Sequence, residues 1–404
     1  MQNGKFNVIL DAFWGSSGKG KVSGYLVDFF NATHVSSANL PNAGHSLRFS
    51  NSEVFVAKAI PTAAALKKYK GIGIKCFISP GSGFTWPQFI KEWQETGRPC
   101  VFVHPRVSIV TDDHKRRENE GNESTKHIAS TMQGSGTALA DKILRKADVV
   151  LTGTNPLNEV IEKLFETDQK VRELFLNDKS VVSEFLEKVV VLTAQEFRNF
   201  THSALRNGHA WLHEGSQGYA LSIDHGSHYP NCTSRNCSVQ AAMDYMAVPP
   251  SLVGDVYLNL RSVPIRVGNV VENGVQKGFS GGFYPDCQEL TWDQVAANAG
   301  MPSEEAAQLA ERERTTVTKR IRRVCTFSYE GLADAVQTNG ATKLAMNFIQ
   351  YINWKDHGLK GGKEAFEKLS IESRRFIDKV EKVAGIPVVL IGTGALHSEM
   401  INLL

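Results

Sequence analysis

The stretch FNVILDAFWGSSGKGKV, residues 6–22, decides the fold. Its first residues, Phe6 to Leu10, form a largely apolar run that is typical of a buried strand. A glycine-rich turn follows at 15–21, and apolar residues then recur at helical spacing over 22–30. A strand, a glycine loop and a helix N-terminus together cradle phosphate, because backbone N–H groups approach the oxygens and lysines supply charge. The stretch therefore predicts a site for nucleotide phosphates.

The glycine loop departs from the usual P-loop at one position. Gly15, Gly20 and Lys21 have the P-loop spacing, but Val22 stands where a magnesium-binding Ser or Thr is expected. One alternative is a glycine-rich turn that only connects a strand to a helix. The preceding strand and the two lysines inside the loop favour phosphate binding, whereas the missing hydroxyl argues against an ordinary P-loop NTPase.

The composition is that of an ordinary globular protein. The chain has 404 residues, of which 42% are hydrophobic and 22% charged, and its net charge is +3. So small a charge does not by itself indicate nucleic-acid binding. Six scattered cysteines are typical of a reducing compartment, and no apolar run is long enough to span a bilayer. The sequence therefore predicts a cytoplasmic protein with no membrane partner.

Strand-like and helix-like segments alternate along the whole chain. This alternation predicts an α/β fold with a mostly parallel central sheet, flanking helices and insertions. We expect a single domain over 1–404, with a helical insertion at about 157–205 where apolar residues recur every three or four positions. Polar segments lie beside predicted elements at 42–46 (NAGHS), 130–136 (STMQGSG) and 214–218 (EGSQG). In α/β sheets, polar residues just beyond the strands lie where ligands bind.

The densest cationic segment is TTVTKRIRR, residues 315–323, with four cations in the five residues 319–323. Such a run fits a nucleic-acid patch, a solvated helix face or a site for a small carboxylate or phosphate, which arginine forks bind bidentately. Aromatic residues that would stack on bases do not interleave with the cations. The segment therefore favours a small anion.

Taken together, these loops resemble those of the adenylosuccinate synthetase family. The family's GDEGKGK, NAGHT, EGAQG, DIDHGTYP and TTGRxRR correspond, in order, to GSSGKGK, NAGHS, EGSQG, SIDHGSHYP and VTKRIRR. The resemblance runs from residue 8 to about residue 400. It implies a ligase in which a nucleoside triphosphate phosphorylates the purine O6 and the amino nitrogen of aspartate then displaces that phosphate at C6.

The resemblance implies a role for each matching residue. The expected catalytic residues are Ser16, Lys19 and His45, with His45 as a general acid. The expected contacts to the donor nucleotide are Gly15, Ser17, Gly18, Lys19, Gly20, Lys21, Gly44, His45, Asn347, Gln350 and Gly392. The expected contacts to the purine monophosphate are Ser16, Asn42, Ser130, Thr131, Gln133, Arg145, Gln217 and Thr233. Aspartate would be held by Thr318, Arg320 and Arg322, and Mg²⁺ by Ser16 and Gly44.

One departure from the family concerns the purine substrate. The family's catalytic aspartate is Ser16 here, and the neighbouring glutamate is Ser17. A carboxylate close to purine N1 would crowd the 2-amino group of guanine, whereas a hydroxyl leaves room and accepts a hydrogen bond from it. The loop therefore predicts dGMP as the substrate, as in a phage-type branch of the family that makes the succinyl adduct of 2-aminodeoxyadenylate for 2-aminoadenine DNA.

A second departure concerns the phosphate donor. The family's guanine-reading TKLD aligns with residues 347–350, so that its aspartate becomes Gln350. A side-chain amide both donates and accepts, which suits adenine N1 and N6, whereas a carboxylate only accepts. The proline and arginine of the family's C-terminal turn are also absent from 392–397. These changes predict ATP or dATP as donor, with the alternative that Gln350 simply packs on the surface.

Several alternatives stay open from the sequence alone. They are an ordinary adenylosuccinate synthetase that uses IMP and GTP, a catalytically silent nucleotide-binding homologue, and a nucleic-acid binder that uses 319–323. Arg145 matches an arginine that the family lends across a dimer interface, so the resemblance implies a homodimer. The N1 proton could be taken by Ser16 through water, by the aspartate substrate or by a phosphate.

Overall fold

One large sheet organises the computed structural model, which describes residues 1–50, 52–120, 127–146, 150–151, 156–315 and 317–404. Its strands, with those of four small sheets, are β1 (Phe6–Asp11), β2 (His34–Ser37), β3 (His45–Arg48), β4 (Val54–Ala57), β5 (Lys75–Ile78), β6 (Gly83–Phe84), β7 (Cys100–Val103), β8 (Ser108–Ile109), β9 (Val189–Val191), β10 (Trp211–Glu214), β11 (Val253–Arg261), β12 (Ile265–Arg266), β13 (Val270–Glu272), β14 (Val275–Gly278), β15 (Glu289–Leu290), β16 (Arg323–Cys325), β17 (Lys343–Asn347), β18 (Val388–Gly392) and β19 (Met400–Asn402).

The helices alternate with the strands along the chain. They are α1 (Lys19–Phe29), α2 (Leu66–Lys70), α3 (Trp86–Glu95), α4 (Asp112–Glu120), α5 (Ser135–Ile143), α6 (Leu157–Thr167), α7 (Gln169–Leu174), α8 (Lys179–Lys188), α9 (Ala194–Arg206), α10 (Val239–Met246), α11 (Trp292–Asn298), α12 (Ser303–Arg312), α13 (Tyr329–Asn339), α14 (Lys363–Glu367) and α15 (Ile371–Ala384). Among the described residues, no helix is long and apolar enough to cross a bilayer.

The large sheet has ten strands in the order β19-β18-β17-β11-β1-β10-β2-β5-β7-β9. Every neighbouring pair is parallel except β18 and β19, which are antiparallel. The order places β1 in the interior of the sheet, and all six of its residues are buried, as the apolar run at 6–10 predicts. The predicted α/β fold with a mostly parallel sheet is confirmed.

Apolar helix faces cover the sheet. Val22 and Leu26 of α1 join Phe89 and Trp93 of α3 in one buried cluster, while residues of α13 and α15 belong to a second cluster that also contains Phe6. Burial of this apolar surface is the main force that holds the helices on the sheet.

The range 157–205 is less uniform than its helical pattern predicts. It contains α6, α7, α8 and most of α9, but also β9, which pairs with β7 at the edge of the large sheet. The three residues of β9 are valines, and valine fits a pleated surface better than it fits a helix. The organisation of 1–404 as a single domain stays a prediction.

A buried carboxylate, Glu92 of α3, fixes the segment that leads towards the site. Its Oε1 accepts a hydrogen bond from Lys58 N (2.8 Å), and its Oε2 accepts from Ala59 N (3.0 Å) and Ile60 N (2.9 Å). Burial raises the pKa of Glu92 to about 7, although these hydrogen bonds oppose the rise. Glu92 is fully buried, so each of the backbone donors would lose its partner without the carboxylate.

We expect Glu92→Gln to lower the free energy of unfolding by about 1–3 kcal/mol at about pH 8, because the amide turns N–H groups towards backbone N–H donors. Urea denaturation of both proteins measures the difference. Glu95→Gln, on the exposed side of the same helix, is the control and should change the stability by less than about 0.5 kcal/mol. Equal losses in the two variants would contradict this role for Glu92.

Candidate active site

The glycine loop leaves the carboxyl end of β1 and enters α1 through left-handed backbone. Gly15, Ser16 and Gly18 have φ angles of 88°, 54° and 89°. A side chain at Gly18 would also crowd Asn347, since a Cβ there would lie 3.2 Å from its Cγ. At Gly20, a Cβ would lie 2.8 Å from the carbonyl oxygen of Ser46, so both positions require glycine. The first N–H groups of α1 have no partner within the helix, as at any helix N-terminus, and such groups bind anions.

Asp11, the last residue of β1, is buried beneath this loop and binds it by hydrogen bonds. It is 1% exposed, and its Oδ1 accepts from Phe13 N (2.8 Å) and Gly15 N (3.2 Å). Its Oδ2 accepts from the hydroxyl of Ser17 and lies 3.6 Å from Lys19 Nζ. Sequence reasoning missed Asp11, although a carboxylate at the end of a buried strand beside a glycine loop is a usable signal. The structure thus keeps one carboxylate under a loop that presents two serines.

A row of buried amides continues from Ser17 across two neighbouring strands. Asn259 of β11 donates through Nδ2 to Ser17 O (2.8 Å) and Ser17 Oγ (2.6 Å), and Asn347 of β17 donates to Asn259 Oδ1 (3.0 Å). Gly392, at the end of β18, has no room for a side chain beside Asn347. The structure therefore brings Ser17, Asn347 and Gly392 together, but it engages the first two side chains within the protein, and their contact with the donor nucleotide stays a prediction.

The two lysines of the loop take different directions. Lys19 is 3% exposed and donates to the carbonyl oxygen of Gln217 (2.7 Å), a residue in left-handed backbone. Lys21 donates to Gly394 O (2.8 Å) and Glu399 O (2.6 Å) in the C-terminal turn. Burial lowers the pKa of Lys21 to about 7, and the nearby Glu399 carboxylate partly offsets this. Direct contact of either lysine with phosphate stays a prediction.

His45 and Glu214 form a buried pair at the start of β3 and the end of β10. His45 Nδ1 lies 2.5 Å from Glu214 Oε1, and Thr62 donates to the same carboxylate through Oγ1 (2.7 Å) and its backbone N–H (3.1 Å). Burial opposes ionisation of Glu214, but His45, Thr62 and Ser23 outweigh it and hold its pKa below the usual value. An ionised carboxylate only accepts, so Nδ1 donates and Nε2 is left for proton exchange with a substrate.

Sequence reasoning missed the part played by Glu214. The segment EGSQG was singled out, but only Gln217 was assigned a contact. The signal was present, since Glu214 follows the apolar residues of a predicted strand directly, at the edge where ligands bind.

The turn at 129–134 carries three of the residues predicted to contact the purine nucleotide. Ser130 Oγ donates to Glu118 Oε1 (3.1 Å), and Gln133 Nε2 donates to Thr131 O (3.1 Å). Glu118 lies on the highly charged helix α4, yet only 9% of its area is exposed. This carboxylate also accepts from a backbone N–H of the turn, so α4 fixes the shape of the turn.

The remaining residues predicted to contact the purine nucleotide differ in exposure. Thr233 is buried, and its backbone N–H binds Leu221 O (2.8 Å). Asn42 has a buried Oδ1 without a hydrogen-bond partner among the described residues. Arg145 is exposed at the end of α5, in left-handed backbone with φ 61°. An exposed arginine and an unpaired amide oxygen are both available to a ligand.

The arginine segment meets the turn at 129–134 directly. Arg320 donates through Nη2 to Ser130 O (3.0 Å) and through Nη1 to Gly268 O (3.1 Å). Thr318 Oγ1 lies 2.6 Å from Thr315 Oγ1, and Arg322 Nη1 lies 3.3 Å from a carboxylate oxygen of Glu313. The residues predicted to hold aspartate therefore lie beside those predicted to hold the purine nucleotide.

Gln350 is buried rather than on the surface, so the alternative of a surface glutamine is wrong. It lies in a 3₁₀ turn after β17, is 6% exposed, and its Oε1 has no hydrogen-bond partner among the described residues. A buried amide oxygen without a partner costs about 1–3 kcal/mol, which a ligand donor would recover. The position of Gln350 follows from β17, which ends at Asn347 beside the last residues of β18.

A glycine loop on a central parallel strand, a buried carboxylate–histidine pair and an arginine segment at the same edge define a nucleotide-dependent group-transfer enzyme. The sequence profile of the family described as adenylosuccinate synthetase matches residues 8–357. The chain therefore belongs to the adenylosuccinate synthetase family, whose members are carbon–nitrogen ligases.

Individual relatives include both phage and cellular proteins. The N6-succino-2-amino-2'-deoxyadenylate synthase of Vibrio phage phiVC8 is 28% identical over 87% of this chain and 88% of the relative. The adenylosuccinate synthetase of Methanocaldococcus jannaschii is 26% identical over 98% of this chain and 96% of the relative. A solved structure of the cyanophage S-2L succinoaminodeoxyadenylate synthetase, bound to dGMP and dATP, superposes with a TM-score of 0.73 at 25% identity, over 98% of this chain and 95% of that one.

We expect Glu214→Gln to lower kcat of the ligase about 100-fold, because a neutral amide cannot stabilise positive charge on the His45 ring. Initial rates of phosphate release measure the change, and circular dichroism confirms that the variant is folded. Thr62→Val is the matched control, since it removes one hydrogen bond to the same carboxylate but keeps the charge, and should cost less than about 10-fold. Equal losses in the two variants would contradict the charge-based role.

Proposed function

We propose that the chain joins the amino nitrogen of L-aspartate to C6 of dGMP, with ATP or dATP as phosphate donor. The product is N6-succino-2-amino-2'-deoxyadenylate, the precursor of 2-aminoadenine nucleotides. The observation that carries the proposal is Ser16. It stands at the position of the family's catalytic aspartate, its side chain is exposed, and its hydroxyl makes no hydrogen bond to the rest of the described chain. The names of the phage relatives and the ligands of the cyanophage structure support the same reaction.

The chemistry runs in two steps. The γ-phosphate passes to O6 of guanine, and the aspartate nitrogen then forms a bond to C6 as the bond from C6 to the phosphorylated oxygen breaks. The N–H groups of the glycine loop and Lys19 hold the transferring phosphate, where positioning and charge neutralisation supply most of the rate. His45, with Nδ1 fixed by Glu214, stabilises charge on O6 through Nε2.

The donor set around the glycine loop fits Mg²⁺. Within the described ranges, His, Cys, Asp and Glu side chains form no group of three that could hold a metal ion. Ser16 and the carbonyl of Gly44 are the ligands that we assign, while the hydroxyl of Ser17 is engaged by Asp11. Mg²⁺ commonly takes most of its oxygens from water and substrate phosphates, so two protein ligands suffice. When bound, the ion neutralises charge on the donor phosphates.

The purine pocket follows from the same residues. The short side chain of Ser16 leaves space beside N1 and N2 of guanine, and its oxygen accepts a hydrogen bond from the 2-amino group. Gln217, Ser130 and Thr131 contact the nucleotide, and the unpaired Oδ1 of Asn42 accepts from it. Arg145 of a second copy of the chain reaches the phosphate, so we propose a homodimer.

The donor base fits Gln350. Its buried Oε1 has no partner in the described part of the chain and accepts from the 6-amino group of adenine, while its N–H₂ donates to N1. The family's carboxylate would accept from both N1–H and N2–H₂ of guanine, whereas the neutral amide loses these charge-assisted hydrogen bonds and can donate to adenine N1. Adenine nucleotides are therefore preferred to GTP.

Sequence similarity also favours a second candidate function, that of an ordinary adenylosuccinate synthetase that acts on IMP. The archaeal adenylosuccinate synthetase matches nearly the whole chain at 26% identity, close to the value for the phage relative. Overall sequence identity therefore does not distinguish a dGMP-dependent enzyme from an IMP-dependent one. Our choice of dGMP rests on the serine at position 16.

We expect the purified protein, with ATP, aspartate and Mg²⁺, to convert dGMP at least about 10-fold more efficiently than IMP. Ser16→Asp should reduce or reverse this ratio, because the carboxylate crowds the 2-amino group. The measurement is kcat/KM for each nucleotide, from the rate of phosphate release. Ser183→Asp, an exposed serine on α8, is the control and should leave the ratio unchanged. Conversion of IMP without conversion of dGMP would refute the proposal.

For the donor, we expect Gln350→Asp to shift preference from adenine nucleotides towards GTP by about 10-fold or more, because a carboxylate accepts from guanine N1–H and N2–H₂. The values of kcat/KM for ATP, dATP and GTP measure the shift. Gln308→Asp, on the surface of α12, controls for added charge. An unchanged donor preference would show that Gln350 does not recognise the donor base.

A further inference from the structure

Arg261 and Glu313 form a buried ion pair that the proposed reaction does not use. Arg261 is 2% exposed and Glu313 is 4% exposed, and Nη2 of the arginine lies 2.5 Å from Oε1 of the glutamate. The cost of taking both charges out of water offsets most of their attraction, so a buried pair is weak evidence of a purely stabilising role. The two side chains also contact loops that are assigned to ligands.

Arg261 touches two of the loops assigned to ligands. Its Nη1 donates to the carbonyl oxygen of Ser16 (3.1 Å) in the glycine loop. Its guanidinium lies 3.8 Å from the centre of the Phe348 ring, within the segment 347–350 assigned to the donor base. Phe348 has a φ of 60°, a left-handed conformation that is unfavourable for a bulky residue, and the arginine over its ring helps to hold it there.

Glu313 connects the same segment to the arginine loop. Its Oε1 also accepts from the hydroxyl of Tyr351 (2.9 Å), which follows Gln350 directly. Its Oε2 lies 3.3 Å from Arg322 Nη1, and its carbonyl oxygen accepts from Arg322 N (3.0 Å). Glu313 and Arg322 thereby close the base of the loop that carries Thr318 and Arg320. Arg261 and Arg322 outweigh burial and hold the pKa of Glu313 below its usual value.

We propose that Arg261 and Glu313 are positioning residues that couple the donor-base segment to the aspartate loop. A base seated against 347–350 orders Phe348 and Tyr351, these fix the ion pair, and the ion pair fixes Arg322 at the base of the loop. The inference rests on the proposed function, because it takes from it which loop binds which substrate. By linkage, a donor that tightens aspartate binding is itself bound more tightly when aspartate is present.

Isothermal titration of L-aspartate into the dGMP-saturated protein tests the coupling, with and without the inert donor analogue β,γ-methylene-ATP. We expect the analogue to lower the Kd of aspartate about 5-fold or more in the wild type. In Arg261→Met the ratio of the two Kd values should fall to about 1, and in Tyr351→Phe it should lie between. Arg312→Met, in an exposed ion pair on α12, is the control and should keep the wild-type ratio.

The variants also separate coupling from simple loss of structure. A folded Arg261→Met protein that keeps the wild-type ratio overturns the inference, as does a wild type without coupling. If Arg261→Met does not fold, Arg261→Lys decides, since it keeps the charge beside Glu313 but loses one of the N–H contacts; an unchanged ratio there also overturns the inference. A wild type that binds neither aspartate nor the analogue overturns the proposed function itself, a result distinct from binding without coupling.

Discussion

The carboxylate of Asp11 under the glycine loop is the contact on which the rest of the site depends. The loop has left-handed backbone at 15, 16 and 18, and Asp11 fixes it by accepting from the backbone N–H groups of Phe13 and Gly15 and from the hydroxyl of Ser17. From Ser17 the hydrogen bonds continue through Asn259 to Asn347. Every member is buried, so each polar group requires a partner, and three neighbouring strands are fixed to one loop geometry.

The sequence allowed most of the fold to be predicted, because local patterns decide it. The apolar run at 6–10 predicted β1, and alternating strands and helices predicted the parallel sheet. Strand β9 escaped prediction because it is a three-residue segment between helices, and its pairing with β7 is a long-range contact. Short edge strands depend on such contacts rather than on local pattern.

Only those residues of the site that belong to recognisable sequence motifs could be predicted. Resemblance assigned ligands to the loops, and these assignments stay predictions, although Arg320 of the arginine segment donates to the carbonyl oxygen of Ser130. It did not predict that Glu214, the first residue of EGSQG, pairs with His45, nor that Arg261 contacts both the glycine loop and Phe348, because these contacts join residues that lie far apart in the sequence. These buried charges contact other residues of the candidate site, and such contacts become visible only when the order of the strands is known.

In the proposed function, a serine in place of a carboxylate at position 16 makes room for guanine. The most direct measurement is a single reaction with equimolar dGMP and IMP, aspartate, ATP and Mg²⁺, in which mass spectrometry identifies the succinylated products. We expect N6-succino-2-amino-2'-deoxyadenylate to be the main product from the earliest time point. A mixture dominated by adenylosuccinate would contradict it.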